Sequence, residues 1–108
     1  MPLITVSNGT IFNLQQLLDG TVAGASSTSL NRSEELVSRM IIKCISTGNV
    51  HLARLNALVS TTDYDILLEP GDSFSDALHM TGNAIAPREW WLVVSAASTV
   101  FSVYTAPY

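Results

Sequence analysis

The chain has 108 residues, of which 13% are charged and 47% hydrophobic, and its formal net charge is -4. A typical soluble domain carries about 25% charged residues, and serine and threonine take up the difference here. This length allows one domain with one core. The positive mean hydropathy argues against disorder, and no apolar run approaches the ~20 residues that a membrane-spanning helix needs.

Residues 1–30 are predicted to form an N-terminal arm or extension. The β-branched residues at 3–7 are typical of a short strand, which ends at the turn-forming pair Asn8-Gly9. Apolar side chains then recur at helical spacing up to Asp19-Gly20, which predicts one or two helical turns and a glycine stop. Residues 21–29 are almost all small, so we expect a loop or an extended arm there.

Residues 31–108 are predicted to form the main domain, and its first segment allows two interpretations. The apolar residues of 31–45 repeat with a helical period, yet the run 40–45 also suits a strand. The turn at 46–49 precedes a second strand-like run at 50–55. A hairpin of these two runs favours a strand at 39–45.

The second half is predicted to contain only short strands and turns. Strand-like runs at 64–68, 74–79, 90–95 and 100–105 are separated by turn signals. In the segment Glu69-Pro70-Gly71-Asp72, proline and glycine occupy the positions that specify a type II turn. This layout predicts a mainly all-β fold, as a single antiparallel β-sandwich or a jelly-roll-like domain with one short helix.

The few charges are unevenly placed. Four of the five basic residues fall between 32 and 54, and five of the nine acidic residues fall between 63 and 76. The pattern lacks the dense basic face that nucleic-acid binding needs. It allows a contact between a basic and an acidic edge, within one subunit or between copies. Residues 90–108 contain no charge, so we expect other chains to cover the surface around the last two strands.

Signals for catalysis or metal binding are weak. His51 and His79 are the only histidines, and the sequence has no Gly-x-Ser-x-Gly motif, so a small hydrolase would need a nucleophile brought beside one of them by the fold. The single cysteine, Cys44, is expected to be a small buried hydrophobe. The acidic run from Asp63 to Asp76 does not match a calcium-binding loop, which favours turn and edge carboxylates. We therefore expect no catalytic residues, no metal and no cofactor.

The aromatic residues are the candidate functional residues. Trp90 and Trp91 are adjacent, so in a strand they point to opposite faces and only one can enter the core. An exposed tryptophan could stack on a sugar ring or anchor a protein interface, and the sparse charge favours the protein interface. The candidate subunit-contact residues are Trp90, Trp91, Phe101, Tyr104 and Tyr108.

The stretch from about 37 to 106 resembles small β-sandwich structural proteins of tailed-bacteriophage virions. In those proteins a strand leads into a Gly-Asn-Val hairpin, a Leu-x-Pro-Gly-Asp-Ser turn follows, and the second of two closing strands reads like Val-x-Val-Tyr. The matching pieces are Thr47-Gly48-Asn49-Val50, Leu68-Glu69-Pro70-Gly71-Asp72-Ser73, Trp90 to Ser95, and Val100-Phe101-Ser102-Val103-Tyr104. The resemblance implies a sandwich that decorates or cements a capsid, or sits on a tail or fibre, as a symmetric oligomer.

The leading hypothesis is a non-enzymatic virion structural protein that acts as a capsid decoration or cement protein. It would bridge major capsid subunits as a homo-oligomer such as a trimer, in a virion assembled in the host cytoplasm, without binding nucleic acid or membrane. Its partners would be copies of itself and the major capsid protein or other virion proteins. The alternative is a carbohydrate-binding or receptor-binding module of a phage tail or fibre.

Overall fold

The computed structural model describes residues 3–7, 9–20, 25–27, 36–77 and 84–107. The strands in chain order are β1 (Leu3–Val6), β2 (Phe12–Asn13), β3 (Ala25–Ser27), β4 (Val37–Ser46), β5 (Val50–Arg54), β6 (Ile66–Leu68), β7 (Ser73–Ala77), β8 (Trp90–Val94) and β9 (Thr99–Pro107). One helix, α1 (Leu14–Asp19), follows β2, and a 3₁₀ turn, Pro87–Glu89, precedes β8.

The strands form two antiparallel sheets that pack face to face, which confirms the predicted all-β sandwich. Sheet A has the order β3-β1-β9-β4-β7, and sheet B has the order β2-β8-β5-β6. One core lies between them. Side chains from both sheets are fully buried in it, among them Met40, Ile42 and Phe101 from sheet A and Leu52 and Leu92 from sheet B.

The first 30 residues are integral to the sandwich where the structure describes them. β1 pairs with the central strand β9, and β2 pairs with β8 in the other sheet. The leucines of α1 are buried in the shared core. In place of the expected N-terminal arm or extension, these residues belong to the sandwich: Ile4 and Phe12 each supply a core side chain that is 1% exposed.

The predicted helix is confirmed, and its ends have identifiable causes. The side-chain oxygen of Asn13 accepts a 3.0 Å hydrogen bond from the backbone N–H of Gln15 and caps the first turn. Gly20 adopts a left-handed φ of 77° and donates its N–H to the carbonyl of Gln16, which ends the helix.

The predicted hairpin across residues 46–49 is wrong, although both of its strands exist. β4 pairs with β7 and β9 in sheet A, whereas β5 pairs with β6 and β8 in sheet B. The turn therefore carries the chain from one sheet to the other, as an arch. The β8–β9 connection crosses between the sheets in the same way.

These two arches lie against each other. The N–H of Asn49 donates to the Ser95 hydroxyl at 2.8 Å, and the N–H of Ser95 donates to the Asn49 carbonyl at 3.1 Å. A β-carbon placed on Gly48 would lie 2.5 Å from Oγ1 of Thr99 and 2.8 Å from Ala96. Glycine is needed at this position because the arches approach so closely.

The turn between β6 and β7 also crosses between the sheets, and it has the predicted geometry. Gly71 has a φ of 98°, and the N–H of Asp72 donates to the carbonyl of Glu69 at 2.8 Å. The N–H of Gly71 donates a hydrogen bond to the carbonyl of Cys44, which connects the turn to β4. The predicted strand at 74–79 is β7 as far as Ala77, and His79 lies outside the described residues.

Candidate functional site

The two adjacent tryptophans point to opposite faces of β8, as predicted. Trp90 is 5% exposed and packs in the core against Phe74, with ring centroids 5.1 Å apart. Trp91 is half-buried on the outer face of sheet B, where it packs against a small cluster that includes Val59 and Val93.

The remaining candidate residues divide in the same way. Phe101 is fully buried between the sheets, because it lies on the inward-facing side of β9. Tyr104 lies on the opposite side of that strand and is 38% exposed. The inward positions of Trp90 and Phe101 remove both from the candidate contact residues. Tyr108 lies outside the described residues.

The outer face of sheet A is an exposed surface to which four of its strands contribute side chains. On β4, Met40, Ile42 and Cys44 are buried, so the residues at alternate positions point outward. The register places further residues of β1, β9 and β7 beside them. We define the sheet A face by the following members: Leu3, Thr5, Arg39, Ile41, Lys43, Ile45, Ser73, Ser75, Val100, Ser102, Tyr104 and Ala106.

The members of the sheet A face are mostly apolar residues and small hydroxyl residues. Tyr104 lies directly opposite Ile41 on the neighbouring strand. Leu3, Ile45 and Tyr104 are each about two-fifths exposed. Interface cores are enriched in tyrosine and arginine and depleted in acidic residues, so Tyr104, Arg39 and the lack of carboxylates fit a protein contact, whereas the serines do not distinguish this face from other surfaces.

The charges of the sheet A face are all positive. Arg39 and Lys43 are exposed, and the face as defined contains no acidic residue. Within the described ranges neither base forms an ion pair. Another base of the basic segment, Arg54, lies in sheet B and forms a 3.0 Å salt bridge with Glu89. Among the described residues, Arg39 and Lys43 are therefore bases without an ion-pair partner.

The acidic segment lies along the side of the sandwich formed by the edge strands β6 and β7. A carboxylate oxygen of Asp65 accepts the backbone N–H of Arg54 at 3.0 Å, and one of Asp72 accepts the N–H of Glu69 at 3.1 Å. These carboxylates are turn and edge groups, as predicted. We define the acidic edge as the exposed residues Asp63, Asp65, Glu69 and Asp72. Charged residues beside edge strands also discourage unwanted strand pairing.

The outer face of sheet B is covered by the chain itself. The segment between β5 and β6 folds over it and inserts Val59, which is 1% exposed, against Ala53 and Val93. Tyr64 in the same segment contacts the ring of His51 edge-on, with ring centroids 4.9 Å apart. Sheet A therefore has the more open of the two outer faces.

His51 and Cys44 are both buried. Burial lowers the pKa of the His51 imidazole, although a backbone hydrogen bond with Val93 opposes this shift, and the ring's Nδ1 atom has no hydrogen-bond partner. The Sγ atom of Cys44 donates to the carbonyl of Gly48 at 3.2 Å, and burial raises the pKa of the thiol. The prediction of a small buried cysteine is confirmed, since Cys44 is 0% exposed.

Two further properties concern the described residues alone. In that part of the chain, no three His, Cys, Asp or Glu side chains are close enough to hold a metal ion. None of its helices is long and apolar enough to span a membrane. Comparison with protein-family models, curated proteins and solved structures gives no match to this chain. The functional argument therefore depends on the surface of the sandwich.

Proposed function

We propose that this chain is a non-enzymatic virion structural protein of a tailed bacteriophage, a capsid decoration or cement protein that bridges major capsid subunits. The observation that carries the proposal is the sheet A face, which exposes Tyr104 and several aliphatic side chains but no acidic group. Such a surface suits burial against another protein. The sequence resemblance to virion structural proteins supports the same assignment.

The proposed action is to add contact area across the junctions of a shell. A specific protein contact buries about 800 Å² on each partner, and a broad sheet face is the kind of surface that can supply it. Identical copies placed around a local symmetry axis would repeat the same contact and strengthen the shell at each junction.

Association with particles tests this proposal. Particles from cells that make the protein are banded on a density gradient, and the fractions are analysed by mass spectrometry. We expect the chain in the particle band at a constant ratio to the major capsid protein. Recovery of the chain only in the soluble fractions of a particle-producing lysate would overturn the proposal.

In the alternative, a carbohydrate-binding or receptor-binding module of a tail or fibre, an exposed tryptophan ring would stack on a sugar. Trp90 is buried, and Trp91 is half-covered by its packing against Val59. Neither tryptophan presents a fully exposed ring, so the structure offers this alternative less support than the proposed protein contact.

A further inference from the structure

We propose that the sheet A face binds the acidic edge of a second copy of this chain, in a head-to-tail contact. The inference deepens the proposed function, because it names the two surfaces through which copies of the protein associate. It rests on the positions of the charges in the fold and on the exposed apolar side chains of the sheet A face.

The first step concerns the bases of the sheet A face. Arg39 and Lys43 are exposed, two positions either side of Ile41 on β4. The neighbouring strand β7 places Ser73 opposite Lys43 and Ser75 opposite Ile41, so it brings no carboxylate into register with this face. Among the described residues these two bases have no ion-pair partner, so they can pair with carboxylates of a second copy.

The second step concerns the acidic edge. Its four carboxylates are exposed, and those of Asp65 and Asp72 accept hydrogen bonds from backbone N–H groups. Arg54, whose backbone N–H donates to Asp65, is already in its salt bridge with Glu89. The edge therefore keeps its negative charge.

The third step excludes the symmetric arrangement. Packing two sheet A faces against each other would bring the Arg39 and Lys43 side chains of both copies together with no acidic member between them, and like charges in an interface are costly. A head-to-tail contact instead places bases against carboxylates. Such contacts use two different surfaces of each copy and close into a ring when the rotation allows.

The apolar members supply the rest of the contact. Leu3, Ile45 and Tyr104 lie on the same face as the two bases and are each about two-fifths exposed. Covering them removes apolar surface from water, which favours association. The flanking charges then determine the orientation and the partner surface.

Light scattering after size-exclusion chromatography tests the inference with charge reversals. We expect the wild-type chain to form an oligomer that weakens in high salt. Lys43→Glu and Glu69→Lys should each raise the dissociation constant at least about tenfold. Combining both changes in one chain, or mixing the two variants, should restore association because opposite charges meet again. Arg88→Glu, an exposed base outside the sheet A face, is the matched control and should associate like the wild type.

Several results would overturn the inference. One is a wild-type chain that is still monomeric at about 100 times the lowest concentration that the light-scattering detector can measure. Another is an oligomer whose dissociation constant Lys43→Glu leaves unchanged. The third is a charge-swapped double variant whose copies associate as weakly as those of the single variants. Circular dichroism establishes whether each variant is folded. If Lys43→Glu does not fold, Arg39→Glu is used in its place. A folded monomer that still bands with particles would overturn this inference alone, whereas an oligomer absent from particles would overturn the proposed function alone.

Discussion

The ring of His51 packs edge-on against Tyr64, on the covered outer face of sheet B. Its Nδ1 atom is buried without a hydrogen-bond partner, and a buried unpaired polar atom costs free energy. The neutral ring tolerates this environment better than the imidazolium does, since burial disfavours the charged form. This residue links the stability of the sandwich to pH.

The pKa of folded His51 lies below its ordinary value of 6.5. The stabilising contribution of the neutral ring is therefore complete above pH 6.5 and is lost as the pH falls through the lowered folded value. We expect the Tm to fall between pH 7.5 and pH 5, measured by circular dichroism in a His79→Asn background. In that background His51→Leu should show a smaller fall, because the buried imidazole is absent. Equal falls in the two chains would contradict the proposed role of His51.

Single residues were predictable from the sequence where local alternation decides their position. The opposite orientations of Trp90 and Trp91 follow from their adjacency in a strand. The burial of Phe101 was not predicted, because it depends on which side of β9 faces sheet B. That choice is made by pairings with β1 and β4, which lie far away in the chain.

The arches are the elements that join the two sheets. Thr47 in the first arch and Ser98 in the second have positive φ angles of 34° and 59°. The two arches exchange hydrogen bonds through Asn49 and Ser95. Their close approach leaves no room for a side chain at Gly48.

Gly48→Ala should therefore destabilise the protein by about 1–3 kcal/mol, since the new methyl group would overlap Thr99 and Ala96 and force the arches apart. Urea unfolding measures the change. Thr47→Ala is the control, because Thr47 is exposed in the same arch, and it should not lower the stability. A Gly48→Ala protein as stable as the wild type would show that the arches are not in close contact.

Turn signals in the sequence located the arches but did not reveal their type. The segment Ser46 to Asn49 breaks the strand in a hairpin and in an arch alike, and only the pairing partners of β4 and β5 distinguish the two. The same limit explains why the place of β1 in the sandwich was not predicted, because β1 pairs with β9, near the other end of the chain. Local composition carries no information about such distant pairings.

For the whole molecule, the charge-free segment 90–108 has an explanation inside the fold. β8 and β9 are central strands with a neighbour on each side, and the core covers one face of each. The segment containing Val59 also covers the outer face of sheet B. Strands covered on both faces carry apolar residues throughout. The expectation that other chains cover this region remains only for the outward residues of β9, with Tyr104 the most exposed large one.

The uneven charges along the sequence become separate surfaces in the folded chain. Arg39 and Lys43 lie on the sheet A face, the acidic edge lies along the side formed by β6 and β7, and Arg54 is neutralised by Glu89. Composition indicated a charge-poor surface for contact with other proteins. The fold determines which surface that is, because strand order decides which residues share a face.

A reconstruction by electron cryo-microscopy of phage particles from cells that make this protein tests the central claim most directly. We predict density for the sandwich around a local symmetry axis of the shell, with the sheet A face covered by a neighbouring chain. A particle that holds the sandwich with this face open to solvent, or a reconstruction of the complete particle without the sandwich, would contradict the account.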